Sequence, residues 1–210
     1  MNEKEGVIKY NLQHVSKPLP QGIDFSELNS WRTIMVYLQL IGQDPTRYEG
    51  LGFGNISQRL SKTSHSFIIS GTQTGHLNPL GNNDFCIVQT ADPKTNTLIS
   101  EGPCKPSSEA LTHASIYLEA SESQAIIHAH CPSIWKNSKQ LQLACTDREI
   151  AYGTPEMADA VTQLIDTQQL NSGGIFSMLG HEDGIVAFAP TLRQAAEYLI
   201  NCLAEALVLE

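Results

Sequence analysis

Two histidines separated by a single residue are the clearest chemical feature of this sequence. His128 and His130 lie in the apolar stretch AIIHAHC, which we interpret as a β-strand. Residues two apart on a strand point to the same face, so both imidazoles should share a face with Ile126. The small apolar residues between them should pack on the opposite face. We expect this strand to pack one face and present the other, and so to offer two ligands to a metal ion.

A metal site requires at least one further ligand, and the sequence offers several. His181 is favoured because it lies in GHEDG, where flanking glycines allow the backbone to turn the ring inward. Three histidines with one open position is a known catalytic zinc arrangement. Neutral imidazoles leave the ion its full positive charge, which suits it to polarising a carbonyl or holding an enediolate. The other candidates are His113, Glu109, Glu182 and Asp183.

Spacing argues against two other histidine-based metal sites. The zincin motif HExxH is absent, and a cupin-like Glu is replaced by Ile134 and Trp135 in the region after the second histidine. Cys131 is predicted to face away from the histidines, so we interpret it as a packing residue. A metal-free pair of hydrogen-bonded histidines at a cleft edge remains the alternative from these residues alone.

A helix predicted from about Ser108 to Ala120 brings a carboxylate near the histidine strand. Glu109 falls in its first turn and His113 one turn further along the same face. An acidic residue in a first turn commonly complements the helix dipole. The closeness in sequence to the histidine strand is what raises Glu109 above this structural role. The glycine-rich segment 50–60 predicts a loop feeding a strand, which is either a plain turn or a backbone approach to a ligand.

The remaining pattern predicts one α/β domain. Strands interleave with helices, which indicates a mixed or antiparallel central sheet with flanking helices. We expect an N-terminal arm over residues 1–25 and a single domain over residues 26–210. Hydrophobic residues make up 41% and charged residues 17% of the chain, with no long apolar run, so no membrane association is expected.

Charge and cysteine content restrict the partners and the compartment. The net charge is −9, with 13 Lys and Arg against 22 Asp and Glu, which argues against nucleic-acid binding. The start of the chain lacks the apolar core of a signal peptide. The five cysteines are scattered and form no CxxC motif, which favours a reducing compartment. We expect a cytoplasmic protein.

Several of these segments together resemble the class II aldolase/adducin family over about residues 26–208. The resemblance rests on motifs that follow one another in family order: GNIS at 54–57, SG at 70–71, PSSE at 106–109 with His113, HAH at 128–130, YGTPEMADAV, and GHEDGIVAF before a long last helix. It implies a three-layer α/β/α sandwich with a central mixed, largely antiparallel sheet. It also implies a homo-oligomer, with a tetramer favoured.

The resemblance assigns roles to residues of this chain. The family's zinc ligands match His128, His130 and His181, with another divalent metal as an alternative to zinc. Glu109 matches the catalytic acid/base or an additional metal contact, and Tyr152 is a nominee for the family's catalytic tyrosine. The positions that hold substrate oxygens in the family match Asn55, Ser70, Gly71, Ser107 and Ser108.

The implied activity is that of a metal-dependent aldolase-like lyase. Its small-molecule substrate would carry a carbonyl group, as a ketose, sugar phosphate or related hydroxy-carbonyl compound does, and would react through an enediolate. An epimerase or a dehydratase could use the same intermediate. Gly52 and Phe53 stand where the family's phosphate-binding aldolases commonly have hydroxyl residues, so phosphorylated and unphosphorylated substrates both stay open. A non-catalytic, adducin-like assembly module is the alternative from another class.

Overall fold

The fold is a nine-stranded sheet between two helical layers. The structure is a computed structural model and describes residues 5–210; residues 1–4 of the expected arm lie outside the described residues. The strands are β1 Asn11–Ser16, β2 Gly42–Gln43, β3 Gly52–Phe53, β4 Asn55–Arg59, β5 Phe67–Ser70, β6 Phe85–Asp92, β7 Thr97–Gly102, β8 Ala125–His130, β9 Ala144–Thr146, β10 Gly174–Met178 and β11 Gly184–Ala189. The helices are α1 Ser26–Tyr37, α2 Ala110–Glu119, α3 Pro132–Lys136, α4 Pro155–Thr167 and α5 Leu192–Val208, with a 3₁₀ turn at Tyr48–Gly50.

The sheet is mixed and largely antiparallel, as the sequence predicts. Its strand order is β1-β7-β6-β5-β4-β8-β11-β10-β9, while β2 and β3 form a separate antiparallel pair. Only the outermost pairs are parallel within the described chain: β1 with β7 at one edge and β9 with β10 at the other. The histidine strand β8 therefore lies inside the sheet, antiparallel to β4 on one side and to β11 on the other.

Each face of the sheet is covered by its own helical layer. Helices α2 and α4 belong to the apolar core on one face, and α1, α3 and α5 to the core on the other. Capping residues in the sequence determine where a helix of these layers begins. Thr154 caps α4 by accepting a hydrogen bond from the Met157 N–H, and Pro155 occupies the first helical position. The three-layer α/β/α arrangement that the family resemblance implies is confirmed.

Strand β8 alternates as predicted, but neither of its faces is open. Ile126 lies in the core beneath α2 and α4, whereas Ala125, Ile127 and Ala129 lie in the opposite core. All six residues of the strand are buried. The histidine face is therefore presented to other segments of the chain that pack over it, and not to solvent.

Helix α2 begins later than its sequence suggests. Its first helical residue is Ala110, and Glu109 occupies the N-cap position instead of the first turn. The N–H of Glu109 donates to Ser107 Oγ over 3.3 Å, which helps to fix the chain just before the helix. The carboxylate is thereby held at the end of the helix that lies beside the histidines.

Among the described residues, no helix is long and apolar enough to cross a membrane.

Candidate metal centre and catalytic site

Three histidines from two separate segments converge at one end of β8. His128 and His130 belong to that strand, and His181 lies in the turn that joins β10 to β11. Each offers a ring nitrogen, and these three atoms lie within 4.8 Å of one another. The Nε2 atoms of His128 and His130 are 3.1 Å apart. Two imidazole nitrogens bound to one tetrahedral zinc at its usual bond length would be about 3.3 Å apart, so this spacing fits a metal ion.

The cluster is buried and electrically suited to a cation. The residues are between 0% and 3% exposed. Burial, reinforced by the neighbouring His181, lowers the pKa of His128 and of His130 well below the ordinary histidine value. Both rings are therefore neutral near pH 7, which is the state that binds a metal. The donor set fits a divalent ion, with zinc as one suitable choice.

Glu109 lies against the same cluster. Its Oε1 is 3.6 Å from Nδ1 of His181, and its Oε2 accepts a hydrogen bond of 2.9 Å from the Thr112 hydroxyl. Oε1 is buried and has no hydrogen-bond partner among residues 5–210. Burial raises the pKa of Glu109, opposed by His181 and reinforced by the charge of Glu5. A carboxyl group with a raised pKa and one unengaged oxygen is suited to exchanging a proton.

Tyr152 packs against His181, one of the three histidines of the cluster. Its ring stacks on His181 with centroids 4.5 Å apart and planes 23° from parallel. The phenol donates to the Val7 carbonyl over 3.4 Å and accepts from the Val7 N–H over 3.3 Å. The structure thus brings Tyr152 to the site, with its hydroxyl held by the N-terminal segment.

A second aromatic residue supports the cluster from the other side. Tyr48 packs edge-on against His130 with centroids 4.8 Å apart, and its hydroxyl donates to Asp183 Oδ2 over 2.7 Å. Arg47 donates both to the Tyr48 hydroxyl and to the His130 carbonyl. Asp183 lies two residues after His181, so these contacts tie the loop before β3 to both histidine segments. Burial and the bond to Asp183 raise the pKa of Tyr48, which keeps the phenol protonated as a donor.

We expect Tyr48→Phe to destabilise the protein by about 1.5–3 kcal/mol, because the nearly buried Asp183 carboxylate loses a charge-assisted hydrogen bond. The aromatic ring is retained, so packing against His130 should be unchanged. Urea unfolding of the two proteins measures the difference. Tyr37→Phe is the matched control, since Tyr37 is 77% exposed and should shift stability by less than about 0.5 kcal/mol. Equal stability of Tyr48→Phe and the wild type would contradict this support role.

A polar cleft beside the cluster contains most of the predicted substrate-binding residues. Asn55, Gly71, Ser107 and Ser108 line it. The Oδ1 of Asn55 is buried and has no hydrogen-bond partner among residues 5–210, so it can accept from a ligand hydroxyl. Ser70 is not in this lining, because its hydroxyl accepts from the Ile56 N–H beneath the cleft.

The glycine loop before β4 brings this cleft close to the histidine strand. Gly54 adopts φ +71°, and a Cβ there would lie 2.8 Å from Ile41 Cγ1 and 3.0 Å from the His128 carbonyl oxygen. Only glycine fits both the conformation and the space. The next residue, Asn55, pairs directly with His128 in the sheet, so this register sets one wall of the cleft beside the metal ligands.

Three other candidate ligands are not part of the cluster. His113 is buried and hydrogen-bonded through Nδ1 to Ser57 over 2.7 Å, and that serine also bonds to Tyr117. Burial lowers the pKa of His113 to about 3, so it is a neutral core residue at physiological pH. Glu182 is exposed beside His181, and Asp183 is bound to Tyr48.

Sequence reasoning missed three residues at this site. Glu5 reaches His181, while Arg47 and Tyr48 support His130. A single acidic residue near a chain start and a lone Arg-Tyr pair carry no distinguishing pattern. Tyr48 and the following Glu49 do have positive φ values of 48° and 58°, but this uncommon conformation appears only in the structure.

Comparisons with known proteins identify the family and the fold. The family described as Class II Aldolase and Adducin N-terminal domain matches residues 46–207. A solved L-fuculose 1-phosphate aldolase is 20% identical, with a TM-score of 0.64 over 91% of this chain and 88% of that one. A sugar-phosphate aldolase from Thermotoga maritima is 15% identical, with a TM-score of 0.63 over 87% and 91% of the two chains. No curated protein gives a significant match.

The chain belongs to the class II aldolase and adducin N-terminal domain family. Its mixed sheet with flanking helices is the fold of the solved class II aldolases that it resembles. The resemblance noted from the sequence motifs is therefore confirmed. Members of this fold include sugar-phosphate aldolases, and a site that can hold a metal is present at one end of β8.

Proposed function

We propose that this protein is a metal-dependent aldolase-like lyase that uses zinc or another divalent ion. Its substrate is a small ketose, a sugar phosphate or a related hydroxy-carbonyl compound, and the reaction passes through an enediolate. The observation that carries the proposal is the convergence of three buried histidines with a buried carboxylate 3.6 Å from one of them. An assembly module has no need of this arrangement. The aldolase names of the structural neighbours support the same class.

The histidines would bind the metal ion, and the carboxylate would transfer the proton. His128, His130 and His181 would hold the ion, which supplies a Lewis acid that polarises the substrate carbonyl and stabilises negative charge. Glu109 would move the proton through Oε1, the oxygen that Thr112 leaves unengaged. In an aldol cleavage, a hydroxyl proton leaves, the adjacent C–C bond breaks, and its electron pair remains on the enediolate half. That half is then protonated on carbon, so the proton count balances.

The polar cleft would orient the substrate. The Asn55 amide and the Ser107 and Ser108 residues lie at its wall, and Gly71 offers backbone there, so hydroxyl or phosphate oxygens would find polar groups. Ser70 would act indirectly by fixing β4 through its bond to Ile56. Tyr152 would act near the leaving group, while His113 would keep a structural role.

The proposal also covers the organisation of the protein. It includes an arm over residues 1–25, a domain over residues 26–210, a homotetramer and a cytoplasmic location.

Metal analysis of the purified protein tests the proposal. We expect about one divalent ion per chain in the wild type and a loss of at least tenfold in metal content for His128→Ala, because one of three ligands is removed. His76→Ala is the matched control, since His76 is exposed and should leave the content unchanged. Trace metal in the wild type, unaffected by His128→Ala, would refute the enzyme and favour the assembly module. A screen of aldehydes, ketoses and their phosphates then separates cleavage from epimerisation or dehydration.

A further inference from the structure

The N-terminal segment places a carboxylate directly on the histidine cluster. Glu5 Oε2 is 2.9 Å from Nε2 of His181, and Oε1 is 3.7 Å from Nε2 of His130. The two oxygens thus span two of the three imidazoles. The Glu5 side chain is only 10% exposed, so water does not screen this contact as it would at the surface.

Glu5 and Glu109 approach the cluster from different sides. Glu5 faces Nε2 of His181, whereas Glu109 faces Nδ1 of the same ring. Nε2 is also the atom through which His128 and His130 approach each other. Glu5 therefore lies on the side of the cluster where the three rings can share an ion, and Glu109 lies behind His181.

Contacts along the following residues hold this segment over the site. Val7 exchanges backbone hydrogen bonds with the Tyr152 hydroxyl, and Thr72 donates to the Gly6 carbonyl over 3.4 Å. Further along, the ammonium of Lys9 lies 3.7 Å from the centre of the Tyr152 ring. These contacts join the segment to Tyr152 beside His181 and to Thr72 in the lining of the cleft, so the position of Glu5 is set by its surroundings.

The segment also occupies space that a substrate would use. Glu5 and Gly6 line the same polar cleft as Asn55, Ser107 and Ser108. Gly6 has φ +72°, and a Cβ there would lie 1.8 Å from Nε2 of Gln73. The close approach of this backbone to Gln73 requires glycine at position 6 unless the glutamine side chain moves.

The charges of the site argue that a cation belongs between these groups. Two carboxylates with little exposure approach the cluster, because Glu5 Oε2 lies 2.9 Å from Nε2 of His181 and Glu109 Oε1 lies 3.6 Å from Nδ1 of the same ring. Burying carboxylates is costly unless positive charge lies beside them. A divalent ion among the Nε2 atoms would compensate both carboxylates.

We propose that Glu5 is the fourth ligand of the metal in the resting protein and that substrate oxygens replace it. This inference rests on the proposed metal site. Carboxylate oxygen is a normal zinc ligand, and a catalytic zinc needs one position that substrate can take. Glu5 precedes β1, the first strand, so it can leave the metal without disrupting a sheet pairing. The arm would then gate the site as well as complete it.

Binding of Co²⁺ alone to the metal-free full-length protein tests the ligand. We expect Glu5→Gln to weaken Co²⁺ binding by about 10–100-fold and to change the visible absorption of the bound ion, because a charged ligand is lost. Glu27→Gln is the matched control, as Glu27 is exposed on α1 and should bind Co²⁺ like the wild type. Unchanged affinity and absorption in Glu5→Gln would overturn the inference.

A second measurement tests the replacement of Glu5. Acetohydroxamate, a bidentate oxygen ligand, should bind at least about tenfold more tightly to Co²⁺-loaded Glu5→Gln than to the loaded wild type, because no carboxylate has to leave first. Equal affinities would overturn the gating role. These measurements distinguish failure of the proposed metal site from failure of the proposed role of Glu5. A wild type that binds no Co²⁺ refutes the metal site itself. Binding that His128→Ala abolishes and Glu5→Gln leaves intact refutes only the role of Glu5.

Discussion

Glu109→Gln is expected to lower turnover by about 10²–10⁴-fold while the protein keeps its metal, since that range is typical for the loss of a positioned proton-transfer group. The substitution preserves the size of the side chain but removes its ability to carry a proton. Its amide oxygen can still accept from Thr112, which bonds to Oε2 in the wild type. Folding should not suffer, because the change also removes a buried charge.

Turnover and metal content must be measured together for this variant. Glu119→Gln is the matched control, since Glu119 is exposed at the far end of the same helix and should leave turnover unchanged. Undiminished turnover in Glu109→Gln would remove Glu109 from proton transfer. Loss of the metal along with the activity would instead identify Glu109 as a ligand, the other role that the family resemblance allows.

Removing the metal should destabilise the protein by several kcal/mol. An ion that binds only the folded state stabilises it by about 4 kcal/mol when its concentration is 1,000 times the dissociation constant. For a chain of this size, that corresponds to a fall in Tm of roughly 8–16 °C when a chelator is added. Thermal unfolding with and without chelator measures the difference.

The variant His181→Ala identifies which residues cause that effect. We expect its Tm to be insensitive to chelator, because the turn between β10 and β11 no longer contributes a ligand. His65→Ala is the matched control, as His65 is exposed and should keep the full chelator-sensitive shift. A chelator-induced shift that persists undiminished in His181→Ala would place the metal elsewhere.

The two carboxylates have different proposed roles, and substitution of each one should change a different measured quantity. Glu109 is held behind His181 by Thr112, so its substitution should affect the rate of reaction. Glu5 faces the Nε2 side from a segment outside the sheet, so its substitution should affect metal and ligand affinity. Tyr152 contacts the residues that both carboxylates depend on, because its ring stacks on His181 and its hydroxyl bonds to Val7, two residues after Glu5.

Local patterns predicted the elements that carry the site. Alternation along AIIHAH placed His128 and His130 on the face of Ile126, as observed, because strand side chains repeat every two residues whatever the surroundings. Thr154 and Pro155 begin α4 for an equally local reason, because capping satisfies backbone groups within a single turn. Net charge, the histidine pair and the ordered motifs were likewise available from sequence, and with them the family.

Only the tertiary structure decided what lies around those elements. The sheet order places β11 beside β8, which brings His181 to the other histidines, and an arm 176 residues away in sequence brings Glu5 to His181. The burial of the histidine face, the N-cap position of Glu109 and the support from Tyr48 follow from the same packing. Such contacts depend on which distant segments pack on one another. Hydrophobic periodicity along the chain predicts the elements but not which of them come into contact. The sequence by itself thus determined the family and three proposed metal ligands, while the fold determined the second carboxylate that faces them.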